Sequence, residues 1–236
     1  MARNYIILNG KNSIAIPGLA INELPPITKP KIRTEVEEID GKDGDIVTKL
    51  GYSAYDKEIT IGLFSDYDID SIIKYFDSEG IVAFSNEPKK YYKYQIIDQI
   101  DFEKLLKFRT ATIKFHIQPF KYSVEDNIKE FSINNDISEI EIRNVGNIYS
   151  RPILTIRGSG DINIYLNDEQ MFAIALGNLG KITIDTNNME AYLGNVLLNR
   201  IVIGNYDKFK LNIGKNIITW SGNIESIKIK DFSRWI

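Results

Sequence analysis

The sequence predicts a mainly β chain of 236 residues, built in two parts, with a single helix in the first. Three observations predict it. Isoleucine occurs 42 times, and its branched Cβ fits a pleated, half-buried surface. Residues 109–120 alternate strictly: Ala111, Ile113, Phe115 and Ile117 fall on one face, and Thr110, Thr112, Lys114, His116 and Gln118 on the other. Beyond residue 136, short runs of strand formers recur between Gly, Asn and Ser clusters, the spacing of a β-sandwich.

The first part opens with a hairpin. Asn9-Gly10 separates Tyr5–Leu8 from Ser13–Ile16, and Asn-Gly favours the left-handed turn that suits strand twist. Pro25, Pro26 and Pro30 then interrupt regular structure. From Ile32 to Ile39 a strand is expected with charge on both faces: Arg33, Glu35 and Glu37 on one, Thr34, Val36 and Glu38 on the other. Gly41–Asp45 reads as its turn, and Glu58–Phe64 as a clear strand.

The helix is placed at about 66–78. Ser65 with Asp68 makes a Ser-x-x-Asp capping pattern, and Ile69, Ile72, Ile73 and Phe76 make one apolar stripe. Gly80 serves as its stop. Strands resume at Ile81–Phe84, Tyr91–Ile97 and Arg109–Phe120.

The polar run Asn134-Asn135-Asp136 marks the expected boundary, giving parts 1–135 and 136–236. In the second part, strands are expected at 151–157, 161–166, 181–185, 200–203, 216–220 and 226–230. Gly158-Ser159-Gly160, Asn187-Asn188, Gly204-Asn205 and Ser221-Gly222-Asn223 supply the turns.

Composition excludes much chemistry. There is no cysteine, so no disulfide, thiolate site or cysteine nucleophile. The net charge of −3 gives no electrostatic footprint for nucleic acid or an anionic membrane. Ile6-Ile7-Leu8 is too short for a signal-peptide core, so synthesis in the cytoplasm is expected. No apolar run approaches a membrane span. The one histidine, His116, sits on a polar strand face and reads as a surface or interface residue; a Ser-His-Asp site would have to use it. Asp66, Asp68 and Asp70 have the start of a calcium-loop spacing, but Ser71 stands where glycine is needed and Asp77 where glutamate is needed. They read instead as first-turn acids that complement a helix dipole. The expectation is a non-enzymatic protein with no cofactor and no metal.

Asn86-Glu87-Pro88-Lys89-Lys90-Tyr91-Tyr92 and Gln118-Pro119-Phe120-Lys121-Tyr122, with the order of hairpins, strand and helix before them, resemble the distal tail proteins (Dit) of long-tailed phages of Gram-positive bacteria. The resemblance extends over roughly 1–122 and is architectural beyond 136. It implies a virion structural protein at the tail tip, whose first domain closes a ring, usually a hexamer. It also implies a second domain that is a galectin-like or carbohydrate-module-like sandwich. The partners implied are other copies of the chain, the tail tube protein, the tail-associated hub protein and receptor-binding proteins.

Two sets of site residues follow. A charged hairpin over about 32–58 has no core face, and such a hairpin tends to pair with another chain. Glu38, Asp40, Tyr52 and Tyr55 are its candidate ring or partner contacts. The alternative function is a carbohydrate-binding module that aids adsorption to the host cell wall, with Tyr165 and Trp220 as candidate sugar-stacking residues.

Overall fold

A computed structural model describes residues 3–64, 66–76, 79–125, 128–134 and 136–236. The expected cap at Ser65, the loop position at Asp77 and the boundary at Asn135 lie outside the described residues. The chain divides into two compact units between Lys121 and Tyr122. The division falls earlier than the polar run at 134–136 because Ile128–Ser132 pairs with a strand near the C-terminus, Ile128 opposite Lys230 and Ser132 opposite Ser226. Asn134 and Asp136 therefore fall inside the second unit.

The first unit contains strands β1 (Ile6–Leu8), β2 (Lys11–Asn12), β3 (Leu19–Glu23), β4 (Ile32–Glu38), β5 (Asp45–Tyr52) and β6 (Tyr55–Leu63). Helix α1 (Ile69–Tyr75), strands β7 (Glu79–Phe84) and β8 (Lys90–Gln95), helix α2 (Phe102–Phe108) and β9 (Thr110–Ser123) follow. Within this unit seven strands pair in the order β2-β1-β7-β8-β9-β6-β3. Its inner face carries Ile59, Ile61, Phe84, Tyr92, Ile113, Phe115 and Ile117, packed with Ile72, Tyr75 and Phe76 of α1 and Leu105 of α2. Phe115 is the hub of the aromatic packing, with the rings of Phe84 and Tyr94 edge-on at 6.0 and 5.2 Å, the geometry that aromatic quadrupoles favour.

Several sequence expectations change here. Asn9 and Gly10 do make a turn with positive φ (48° and 83°), but the return strand is only Lys11–Asn12. Ser13–Ala15 is a 3-10 turn rather than strand. Helix α1 is shorter than 66–78. Asp68 caps it, accepting from the backbone N–H groups of Asp70 and Ser71 at 3.1 and 3.3 Å. Its buried face is Ile72, Tyr75 and Phe76, and Ile73 is exposed. Tyr75 turns inward because its hydroxyl donates to the Ile6 carbonyl and lies within hydrogen-bond distance of that of Lys11. Gly80 is not a helix stop; it lies in β7 opposite Tyr94.

Helix α2 is a second helix where one was expected. Asp101 caps it, and Arg109 ends it in the left-handed region at φ 59°.

The second unit holds β10 (Ile128–Ser132), β11 (Glu139–Asn144), β12 (Ile153–Leu166), β13 (Glu169–Gly177), β14 (Lys181–Asp185) and β15 (Glu190–Leu193). It continues with β16 (Val196–Leu197), β17 (Val202–Gly204), β18 (Gly214–Lys230) and β19 (Arg234–Trp235). Two long strands organise it. The first half of β12 pairs with β14 and with the end of β18, and its second half with β13 and the start of β18. The start of β18 also pairs with β11, and its end with β10. The two long strands therefore bend together and wrap the sheet around one core, which includes Ile142, Ile156, Ile164, Phe172, Ile184, Phe209, Ile218 and Ile227.

The bend explains two turns that are not turns. Gly158-Ser159-Gly160 lies inside β12, and Ser221-Gly222-Asn223 inside β18. They face one another, with Gly158 opposite Ile224 and Ser159 opposite Asn223. A Cβ at Gly158 would fall 2.1 Å from the Asn223 carbonyl oxygen, and one at Gly222, where φ is +98°, 2.3 Å from that of Asp161. Glycine is needed for close backbone approach at a kink, not for chain reversal. The reversal is at Asn167-Asp168, both with positive φ, a two-residue hairpin turn made without glycine.

Candidate assembly surface

The hairpin β4–β5 is a two-stranded sheet of its own. Its register sets Thr34 opposite Lys49, Val36 opposite Val47 and Glu38 opposite Asp45, with a bulge at Leu50. On one face lie Thr34, Val36, Glu38, Asp45, Val47 and Lys49, and on the other Arg33, Glu35, Glu37, Ile46 and Thr48. Neither face is covered. Val36, Val47 and Leu50 are 53%, 57% and 55% exposed. Glu38 opposite Asp45 is a like-charge pair, which weakens a ladder.

The arm (Ile32–Tyr52) is also acidic. Glu35, Glu37, Glu38, Asp40, Asp43 and Asp45 stand against Arg33, Lys42 and Lys49, a net charge of −3. An isolated two-stranded hairpin is marginal in water. This one carries apolar side chains and a charge excess into solvent.

Its root is held firmly. The Tyr52 ring meets Phe120 edge-on at 5.4 Å, and the Ser53 N–H donates to the Lys31 carbonyl at 2.9 Å. The segment leading into the arm is fixed by Asn86, which donates to the Pro25 carbonyl at 2.9 Å, and by Lys57, whose ammonium donates to the Pro26 carbonyl. The Tyr55 hydroxyl donates to the Thr28 carbonyl at 3.4 Å.

Beneath the root is a buried charge cluster. Lys57 and Lys121 are 3% and 4% exposed. Lys121 pairs with Glu87 at 2.9 Å, and the Tyr92 hydroxyl donates to the same carboxylate at 2.8 Å. Lys57 lies 5.4 Å from the Tyr92 ring centroid and 5.7 Å from that of Tyr55, within cation–π range. Burial lowers the Lys57 ammonium to about 8; Glu87 opposes that shift and Lys121 adds to it. Burial pushes Glu87 up, but the hydrogen bonds from Lys121 and Tyr92 outweigh it and hold the carboxyl below its ordinary value. Lys90 is lowered by burial and by Lys121, with Glu87 again opposing.

Glu38 and Asp40 are exposed at the far end of the arm, whereas Tyr52 and Tyr55 are half-buried at its root. The exposed Val36, Ile46, Val47 and Leu50 complete the surface. Tyr165 and Trp220 are not brought together. Trp220 is opposite the buried Ile164 and packs on the core, while Tyr165 is opposite Thr219. The two rings therefore point to opposite faces of the sheet.

His116 lies opposite Asp56 and is 2.8 Å from it, and Lys114 bridges Asp56 and Asp98 at 3.2 and 3.0 Å. The hydrogen bond with His116 lowers the Asp56 carboxyl, with Lys114 adding to it. Among the described residues no group of three or more His, Cys, Asp or Glu could hold a metal ion. No helix among them is long and apolar enough to cross a membrane.

The lysine cluster carried a sequence signal. Lys57 continues the parity of Ile59, Ile61 and Leu63, and Lys121 that of Phe115 and Ile117. Two lysines at core positions on adjacent strands indicate a buried charge cluster at that end of the sheet.

The β-rich fold just described is similar to that of phage proteins of known structure. The crystal structure of phage SPP1 Dit (gp19.1), titled a paradigm of the hub adsorption apparatus in phages infecting Gram-positive bacteria, matches 100% of both chains with a TM-score of 0.66 at 14% identity. A chain of the phage p2 baseplate in its calcium-activated conformation matches over 98% of each chain, with a TM-score of 0.55 and 12% identity. The strontium-activated baseplate matches over 97% of each, at 0.53 and 13%. No protein-family model matches the sequence, and no curated protein matches it.

Proposed function

We propose that this chain is a non-enzymatic structural protein of a phage tail tip. In this reading copies of the first unit close a ring, a hexamer, that joins the tail tube protein to the tail-associated hub protein. The protein is then part of the virion, and the second unit stands ready for adsorption partners such as receptor-binding proteins. The observation that carries the reading is the end-to-end fold likeness to SPP1 Dit, which covers both chains whole. The uncovered arm supports self-association, because exposed apolar strand pairs and edges invite another chain. The sugar-binding alternative is not favoured, since Tyr165 and Trp220 do not share a face.

Purified protein examined by negative stain should show closed rings, as expected for cyclic symmetry. Gold directed to a tagged copy should mark the distal end of tails. Label spread along the tail, or found only in the unassembled pool, would overturn the tail-tip reading.

A further inference from the structure

The second unit has a crevice of its own. Its volume is about 310 Å³, and every residue that lines it belongs to that unit. Lys129 and Arg143 supply cations, Glu125 a carboxylate, and Ser123 and Ser233 hydroxyls. Val145, 62% exposed, and Phe232 add apolar wall. Lys129 comes from β10, where it stands opposite Ile229 and Phe131 opposite Ile227, both isoleucines being buried. Directly opposite residues share a face, so Lys129 takes a core-side position, and its ammonium lies 5.4 Å from the Phe232 ring centroid. Arg143 comes from β11. Lys215, directly opposite, takes Glu141 at 3.0 Å and adds a like charge rather than a partner. Lys129, Arg143 and Glu125 have no ion pair among the described residues. Ser233 accepts from the Val145 N–H at 3.0 Å, and Ser123 from the Glu125 N–H at 3.2 Å. Neither hydroxyl donates to an acceptor among the described residues, so both hydrogens are left for a ligand.

We propose that this crevice binds a phosphate ester whose alcohol part keeps a free hydroxyl, the chemistry of a phosphorylated polyol. Two cations from different strands and two hydroxyl donors outnumber the two oxygens of a carboxylate. They suit the three terminal oxygens of a phosphate monoester, and charge-assisted hydrogen bonds are the strong ones. The volume is that of a site for a small organic molecule rather than for a bare anion. Val145 and Phe232 offer apolar surface to the ligand's carbons. Glu125 sets the rest of the ligand: an ionised carboxylate only accepts, so it takes a ligand hydroxyl and repels a second anionic group. The crevice lies within one unit of one chain, so binding there is independent of assembly.

The test titrates glycerol phosphate against the full chain and follows its phosphorus resonance, with inorganic phosphate and glycerate in parallel. Glycerol phosphate should bind more tightly than either. Equal or tighter binding of inorganic phosphate would overturn the ester, and equal or tighter binding of glycerate would assign the site to carboxylates instead. Lys129→Gln with Arg143→Gln should weaken glycerol phosphate binding by about tenfold or more. Both side chains are exposed and without ion pairs, so the variant should melt with the wild type. Arg157→Gln with Lys181→Gln removes the same charge elsewhere on the unit, from a ladder pair that does not line the crevice, and should leave binding within about twofold. Equal weakening by the two double variants would mean a diffuse charge effect and sink the site. Glu125→Gln should bring glycerol phosphate and inorganic phosphate closer in affinity, and an unchanged preference would remove Glu125 as the hydroxyl acceptor. Absence of any glycerol phosphate binding by the wild type overturns the proposal outright, while the assembly reading stands or falls by its own rings and label.

Discussion

The arm β4–β5 and the long pair β12–β18 are both antiparallel ladders, yet they meet opposite fates. Along β12, alternate residues Leu154, Ile156, Ile162, Ile164 and Leu166 are buried. Along β4, Val36 occupies the equivalent kind of position and is left in solvent. The difference is sequence pattern: Ile and Leu occupy one parity in β12, whereas in β4 Val36 lies between Glu35 and Glu37 and shares its face with Thr34 and Glu38. A ladder whose apolar parity is continuous finds its partner within its own chain. One whose apolar residues are few and interleaved with acids does not, and its stabilisation has to come from outside.

The contrast predicts where substitutions act. The largest effect is expected in the second unit's core. Phe172 is fully buried and stacks on Phe209 at 5.4 Å, so Phe172→Ala should cost about 3–5 kcal/mol, read by denaturant unfolding. A loss below about 1 kcal/mol would show that this core collapses to fill the gap. Smaller, and tied to the root of the arm, is a pH effect. Lys57 falls from 10.5 to about 8 on folding, so between those values the unfolded chain binds more protons and stability rises with pH. Below about 8 the cost of burying the ammonium is fully present. Thermal melts in that window should rise for the wild type relative to Lys57→Met, and parallel curves would remove the buried-cation account.

The smallest effect on monomer stability is expected in the arm. Val36→Ser with Val47→Ser should leave unfolding within about 0.5 kcal/mol, since both side chains are already wet. The same pair should weaken assembly. Equal loss in both measurements would mean that the arm belongs to the monomer's own core.

Much of this was legible in residue patterns. The alternation of 109–120 placed Ala111, Ile113, Phe115 and Ile117 inside, where they are. The face assignment of residues 32–39 had no core side, and none is present. Helix α2 was missed because it is seven residues long, buries only Leu105 and ends at Arg109 rather than glycine. The hairpin at Asn167-Asp168 was missed for the same reason, a turn made without glycine. Conversely, Gly158 and Gly222 read as turns because glycine marks both a reversal and a close approach, and only the pairing of β12 with β18 distinguishes them. Of the candidate contacts, Glu38 and Asp40 are exposed on the arm, whereas the two tyrosines serve its root. Aromatic side chains at a hairpin's base suit packing as well as binding, and sequence alone does not separate those uses.

The most direct test is amide hydrogen exchange on the full chain, dilute and concentrated. If the arm is completed by another copy, peptides within 33–51 should exchange at least about tenfold more slowly once oligomers form, because their backbone and side chains leave water. Peptides from β12 and β18 should be equally protected at both concentrations. Oligomers that form while the arm's exchange stays fast would contradict the account at its centre.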